Sequence, residues 1–255
     1  MPSRCVQLFI FVMAAALAGA HSARAQGAAV PQAADQAPAQ AVSPPAQPAA
    51  PPPKTLALII LDPAHGGADQ GARGSTGISE SDVALSYARL ARISLEAQGL
   101  RTVLTRQANE DPSFDDRSKL ANGQRGDIFI SLHVSSTGQP GTVRVYSEPP
   151  DLGPASPRSG LISWDRAQSG YLDLSRRLAE LLQIQMALRF RGSPDTPLYA
   201  PVRQLRTIAA PAVAIEVSSV SMPDRSLLDQ MGPAIADAIA RAVVAFRLVY
   251  ESEGK

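Results

Sequence analysis

The 255-residue chain contains three histidines and one cysteine, so any metal or nucleophilic chemistry must rest on few side chains. Cys5 and His21 fall in an N-terminal stretch that reads as a leader, which leaves His65 and His133 to the folded part. His65 follows the apolar run Thr55 to Leu61 (TLALIIL), stopped by Asp62-Pro63, and His133 follows Asp127 to Leu132 (DIFISL). Short, nearly continuous apolar runs of this kind read as strands buried on both faces of an α/β sheet. A third run, Ala212 to Val217, carries Glu216. In open α/β sheets the binding crevice lies beyond the carboxyl ends of the strands, where converging loops are held by a rigid scaffold. Two imidazoles and one carboxylate, with a position left open, form the common hydrolytic zinc arrangement. Glu80, where the loop from His65 enters the next helix, can supply that carboxylate and leave Glu216 free to handle protons. Each histidine taken alone reads equally well as a satisfied structural residue, and spacing leaves both readings standing.

The elements between these residues alternate. Ser79 or Ser81 can cap a helix whose apolar positions Val83, Tyr87, Leu90 and Ala91 recur at helical spacing, and Gly99 ends it. Arg101 to Thr105 reads as a second strand, Phe114 to Asn122 as a helix, and Thr142 to Tyr146 as a further strand. Leu174, Leu178, Leu181, Leu182 and Leu188 mark a long helix, and Leu228, Met231, Ile235, Ile239 and Phe246 a closing amphipathic one. This order predicts a single three-layer α/β domain over residues 54–250, a twisted and largely parallel sheet of about six strands flanked by helices.

Composition limits the alternatives. With 24 Lys plus Arg against 23 Asp plus Glu, the chain has no electrostatic footprint for a polyanion, and nucleic acid is not an expected partner. One cysteine excludes a disulfide framework. Residues 1–25 carry Arg4, an apolar run from Val6 to Ala20, and Ala23 and Ala25 around Arg24, the pattern of a secretory signal cut before Gln26. That run is shorter than the roughly 20 residues needed to span a bilayer, so no stable membrane insertion is expected after cleavage. Cys5 precedes the apolar run, which argues against a lipoprotein. Residues 26–53 hold 8 Pro and 10 Ala and a single charge, Asp35, the composition of an extended, semi-rigid spacer.

Six ordered stretches carry a resemblance: Leu61-Asp62-Pro63-Ala64-His65-Gly66-Gly67, Gly77-Ile78-Ser79-Glu80-Ser81-Asp82-Val83, Leu104-Thr105-Arg106, Leu120-Ala121-Asn122, Ile130-Ser131-Leu132-His133 and Pro211-Ala212-Val213-Ala214-Ile215-Glu216. From about Leu56 to Phe246 the chain resembles the zinc-dependent N-acetylmuramoyl-L-alanine amidases of bacterial cell walls, the type 3 amidases. The resemblance implies zinc held by His65, Glu80 and His133, Glu216 as catalytic glutamate, peptidoglycan as substrate, a periplasmic or secreted location and, in some members, a protein activator. Arg206 is expected to hold the substrate or its developing oxyanion, a surface arginine being the plain alternative, and Asp62 to orient His65 as a hydrogen-bond acceptor. Ala64 stands where the family usually has Gly. Val134-Ser135-Ser136 and Val217-Ser218-Ser219-Val220-Ser221 also depart from the family pattern and are expected on the groove walls.

Segment 147–170 contains the only tryptophan, Trp164, and four prolines. It is expected as a surface loop, with Trp164-Asp165 packing on the domain or lining the groove, in preference to a lid over the site. Two rival functions remain: a non-catalytic cell-wall binding or regulatory protein that keeps the fold, and a phosphate cradle in the loop Gly66 to Gly77. The cradle lacks the Gly-Lys-Ser/Thr ending of a P-loop.

Overall fold

A computed structural model describes residues 54–150 and 163–252. The expected leader (1–25) and spacer (26–53) lie outside the described residues, as does most of the Pro-rich part of segment 147–170.

Six strands form one sheet in the order β2-β1-β3-β6-β4-β5. They are β1 (Leu58–Pro63), β2 (Arg101–Leu104), β3 (Ile128–Ser135), β4 (Val143–Ser147), β5 (Leu198–Tyr199) and β6 (Ala212–Ser218). β2, β1, β3 and β6 run parallel, while β4 pairs antiparallel with β6 and parallel with β5. The sheet is thus largely parallel, as expected, with an antiparallel β4–β5 margin. β1 runs on through Asp62 and Pro63, paired with Ser131 and Leu132. Asp62-Pro63 therefore closes the strand from within, and the Pro63 carbonyl accepts from the side chains of Arg106 and Arg117.

The helices are α1 (Glu80–Glu96), α2 (Phe114–Gly123), α3 (Leu172–Ala187), α4 (Arg203–Arg206) and α5 (Arg225–Ser252). Ser79 caps α1, its hydroxyl accepting from the Asp82 amide, and Ser113 does the same for α2 through Asp116. Alternation along each strand separates two faces. Ile59 and Leu61 of β1, Ile128, Ile130, Leu132 and Val134 of β3, and Val213, Ile215 and Val217 of β6 join α1, α3 and α5 in the large core. The opposite face has a small core of Leu58, Ile60, Phe129, Ala212 and Ala214 against Ala121 of α2 and Leu205 of α4. Gly232 is where α5 crosses α1: a Cβ there would sit 2.6 Å from Leu90 Cδ1.

The chain runs from β1 through α1 to β2 on one side of β1, then through α2 to β3 on the other side. The strand order therefore reverses between β1 and β3, where crevices form in doubly wound sheets.

Two expectations change here. A 3₁₀ helix, Trp164–Gly170, occupies the end of segment 147–170 where a loop is expected, and Trp164 opens it half-covered, 49% exposed. What fastens this turn is Gln168, buried and donating to the carbonyls of Ile208 and Ala210. Val134, Val217 and Val220 belong to the large core and not to groove walls, since they sit on strand positions facing α1 and α5 or just beyond.

Candidate active site

β1 and β3 end side by side, and each hands over a histidine. His65 leaves β1 in the left-handed region (φ 58°), uncommon for a residue with a side chain. Two buried arginines hold this turn. Arg117 Nη1 donates to Asp62 Oδ1 (2.7 Å) and the Pro63 carbonyl (2.9 Å), and its Nη2 to the carbonyl of His65 itself (2.8 Å). Arg106 donates to the carbonyls of Pro63, Ala64, Ala108 and Ser81, tying the end of β1 to the first turn of α1. Asp62 also accepts from Thr105 and Ser131. Its carboxylate is spent on that network, so it does not orient His65 as expected.

Asp69 does so instead. The Gly66 and Asp69 backbones exchange two hydrogen bonds, folding the loop back on itself, and Asp69 Oδ2 lies 2.7 Å from His65 Nδ1. A carboxylate on one ring nitrogen fixes the tautomer and aims the other, as it does behind metal-binding histidines. His65 Nε2 faces Glu80 Oε2 at 3.3 Å, and His133 Nδ1 lies 2.9 Å from Glu80 Oε1. Backbone amides seat the same carboxylate, Val134 on Oε1 and Ala72 on Oε2. One of the departing positions thus touches the cluster through its backbone. Gly71 lets the loop pass behind it: a Cβ there would meet both Glu80 Oε2 and His65 Cδ2 at 2.6 Å.

The two imidazoles stand edge to face, 5.7 Å apart. Ligand atoms of His65, Glu80 and His133 lie within 4.8 Å of one another. Burial works to raise the pKa of Glu80, but the hydrogen bonds from His133, His65 and Ala72 outweigh it and hold the carboxyl well below its ordinary range. His65 is pushed up to about 9, first by its hydrogen bond to Glu80, against burial and with help from Asp69. Two imidazole nitrogens and an ionised carboxylate converging on one point, with a carboxylate behind one imidazole, make a donor set suited to zinc.

Glu216 lies directly beside His133 in the β3–β6 register, on the same face of the sheet. Tyr146 Oη donates to Glu216 Oε1 at 3.4 Å. Two cavities meet at His133. One, of about 120 Å³, is lined by His65, Asp69, Asp111, Ser113, Phe114 and Gln204 among others, and the second, of about 300 Å³, by Tyr146, Ala200, Val202, Ala214 and Glu216. Arg206 is neither a plain surface arginine nor in contact with the cluster. Its Nε donates to Glu148 Oε2 at 3.2 Å, while the other oxygen of that wholly buried carboxylate has no partner among the described residues. Burial raises the pKa of Glu148, and Arg206 opposes the shift.

His65, Glu80, His133 and Glu216 are thus brought together as sequence reasoning grouped them. Asp69, Tyr146 and the two buried arginines were missed. Asp69 has a signal, a carboxylate four residues after a histidine in a glycine-flanked loop, and Arg106 has one in closing the stretch Leu104-Thr105-Arg106, though no role follows from it.

Residues 59–245 match the N-acetylmuramoyl-L-alanine amidase family (Amidase_3). A sporulation-specific N-acetylmuramoyl-L-alanine amidase of Bacillus subtilis is 39% identical over 85 residues, covering 32% of this chain and 33% of that relative. The chain thus spans about a third of that relative's length. Among solved structures, the amidase Ami1 from Mycobacterium smegmatis superposes with a TM-score of 0.60 at 22% identity, covering 77% of this chain and all of that one. The CwlD amidase from Clostridioides difficile, solved in complex with the GerS lipoprotein, gives 0.59 at 20% identity, covering 76% and 99%.

Proposed function

The chain belongs to the N-acetylmuramoyl-L-alanine amidase family of the type 3 class, and on that premise we propose that it hydrolyses the amide between the lactyl group of N-acetylmuramic acid and L-alanine in peptidoglycan. The observation that carries this reading is the convergence of His65, Glu80 and His133 within 4.8 Å, with Glu216 beside His133 on the neighbouring strand.

His65, Glu80 and His133 would hold a zinc ion, which when bound supplies the Lewis acidity that polarises a carbonyl and brings the pKa of a water to about 7. Asp69 holds the His65 ring, and the amides of Val134 and Ala72 hold Glu80, so the donor set is oriented before any ligand arrives. Glu216 takes a proton from the attacking water and returns it to the departing amine, since an amide nitrogen leaves only once protonated. Tyr146 donates to Glu216 and fixes the direction of its carboxylate. Arg206 spends its Nε on Glu148 and presents the rest of its guanidinium to a carboxylate of the substrate, the geometry arginine serves best.

Residues 1–25 would serve as a secretory signal and 26–53 as a spacer, placing the zinc amidase domain, residues 54–250, in the periplasm or outside the cell. No helix among the described residues is long and apolar enough to cross a membrane. A protein activator fits this reading, as a lipoprotein partner accompanies one structural relative.

Mass spectrometry of purified sacculi digested by the protein tests the reaction. Free stem peptides with an L-alanine amino terminus, alongside glycan stripped of peptide, are expected. Disaccharides or free D-alanine would assign another bond. Glu216→Gln should keep zinc and fold while turnover drops about 10²- to 10⁴-fold. A protein that pellets with sacculi and releases nothing would instead be the non-catalytic binder.

A further inference from the structure

Resting on the amidase reading, we propose that the substrate lies across the site in one direction only, its glycan in the cavity on the β1 side of His133 and its stem peptide in the cavity on the β6 side. Among the described residues the two cavities share His133 alone, and Glu216 lines only the second. Hydrolysis of the amide breaks the C–N bond. The water oxygen stays on the lactyl carbon, the bonding pair leaves on nitrogen, and nitrogen takes the proton that Glu216 removed from the water. The second water proton leaves the new carboxyl group and ends on the freed amine, so the products are a carboxylate and an ammonium. A proton donor must stand within hydrogen-bond reach of its acceptor, so the nitrogen faces Glu216. Everything attached to it, the peptide, continues into the Glu216 cavity, and the acyl half with its sugars fills the other.

The walls agree with this assignment on separate grounds. The β1-side cavity is edged by Phe114, 49% exposed at the start of α2, with the Arg203 guanidinium held 4.8 Å from its ring centroid. Asp111 and Ser113 add polar groups. Gln204, only 3% exposed, gives its Nε2 to Ser118 Oγ while its Oε1 has no partner among the described residues. A half-exposed aromatic ring with hydroxyl and amide partners around it suits a pyranose bearing N-acetyl groups. The β6-side cavity has Ala200, Val202 and Ala214 for a methyl side chain. Beside it, Glu148 follows β4 two residues after Tyr146 and holds Arg206, which suits the free carboxylates of a stem peptide.

Binding of two product fragments to the zinc-loaded full chain tests the orientation, since neither can be cleaved at this bond. One is a peptide-free tetrasaccharide of alternating N-acetylglucosamine and N-acetylmuramic acid, the other a free stem tetrapeptide, and both are followed by NMR titration. Phe114→Ala should weaken the tetrasaccharide about tenfold, in line with the worth of one aromatic contact, and leave the tetrapeptide unchanged. Asp111→Asn, an exposed change that cannot unfold the domain, should weaken the same fragment less. Ala200→Trp, which fills the second cavity, should weaken the tetrapeptide at least tenfold and spare the tetrasaccharide. A reversed pattern, no change in either fragment, or failure of both to bind the parent protein overturns the assignment. Sacculus digestion is read separately. Amide cleavage with a reversed fragment pattern keeps the amidase reading and sinks the orientation, while the expected pattern without cleavage does the opposite.

Discussion

Along β1, β3 and β6 the residues facing α1, α3 and α5 are apolar from end to end, whereas those facing α2 and α4 change character halfway. Leu58 and Ile60 give way to Asp62, Phe129 to Ser131 and His133, and Ala212 and Ala214 to Glu216. The difference follows from what each face must do. One is closed by three long helices and needs no water, so burial there is limited only by packing. The other is covered by the ten residues of α2 and the four of α4, leaving the carboxyl halves of its strands open to a cleft. The same three strands carry stability on one set of alternate residues and chemistry on the other.

If that division is real, substitutions on the two faces should separate fold from function. The largest effect is expected from His133→Ala, which removes a donor from the cluster and should abolish stoichiometric zinc, and with it nearly all turnover, at little cost in thermal midpoint. Metal analysis and a melting curve on one preparation decide it, and undiminished zinc would remove His133 from the donor set. Phe246→Ala on the closed face should do the reverse, destabilising by about 3–5 kcal/mol in denaturant titration, with activity per folded molecule unchanged. A large loss of activity in the folded fraction would show that the faces are coupled.

Asp69→Asn sharpens the comparison inside the open face. It leaves every donor in place and disturbs only what aims His65, so zinc affinity measured by chelator competition should fall about 10- to 100-fold. Affinity unchanged would mean that Arg117 and the loop backbone orient the ring by themselves. The smallest effect is a pH dependence of the chelator-treated protein. The pKa of His65 is raised from 6.5 to about 9, so its contribution is fully present below pH 6.5 and is lost as pH rises through about 9. Thermal midpoints should decline over that window. With zinc in excess the sign reverses, because the metal needs the deprotonated ring and gains affinity as pH rises. A flat profile without zinc would show that Glu80 and Asp69 do not favour the protonated ring.

What could be read from the sequence divides along similar lines. The strands that cross the middle of the sheet announce themselves as apolar runs, since burial on both faces removes polar residues from most of their length. β5, two residues long, and α4, four, are too short for any period to show, so the part of the first cavity that Gln204 of α4 lines is not legible in the sequence. Residue types point to His65, Glu80, His133 and Glu216, yet they point equally to Asp62 as the partner of His65. Proximity in sequence favoured it, and nothing in the sequence shows that Arg117, Thr105 and Ser131 consume its carboxylate. Arg106 and Arg117, 2% and 4% exposed, run against the rule that arginines stay outside. Backbone carbonyls satisfy Arg106 and, together with the Asp62 carboxylate, Arg117, and carbonyls leave no mark in sequence.

The pairing of β3 with β6 has a consequence for how such a protein can change over time. His133 and Glu216 are neighbours by ladder register, and a slip of one residue would turn Glu216 into the apolar interior. Their spacing is therefore inherited whole or lost, with no graded intermediate for selection to work on. Part of the two cavities hangs on the connections: the loop before α2 supplies Asp111 and Ser113, and the stretch between β5 and β6 supplies Ala200, Val202 and Gln204. These segments can be lengthened, shortened or exchanged without touching that register. Loop grafts from relatives should therefore transfer preference for one cell-wall chemistry or another onto an unaltered reaction centre.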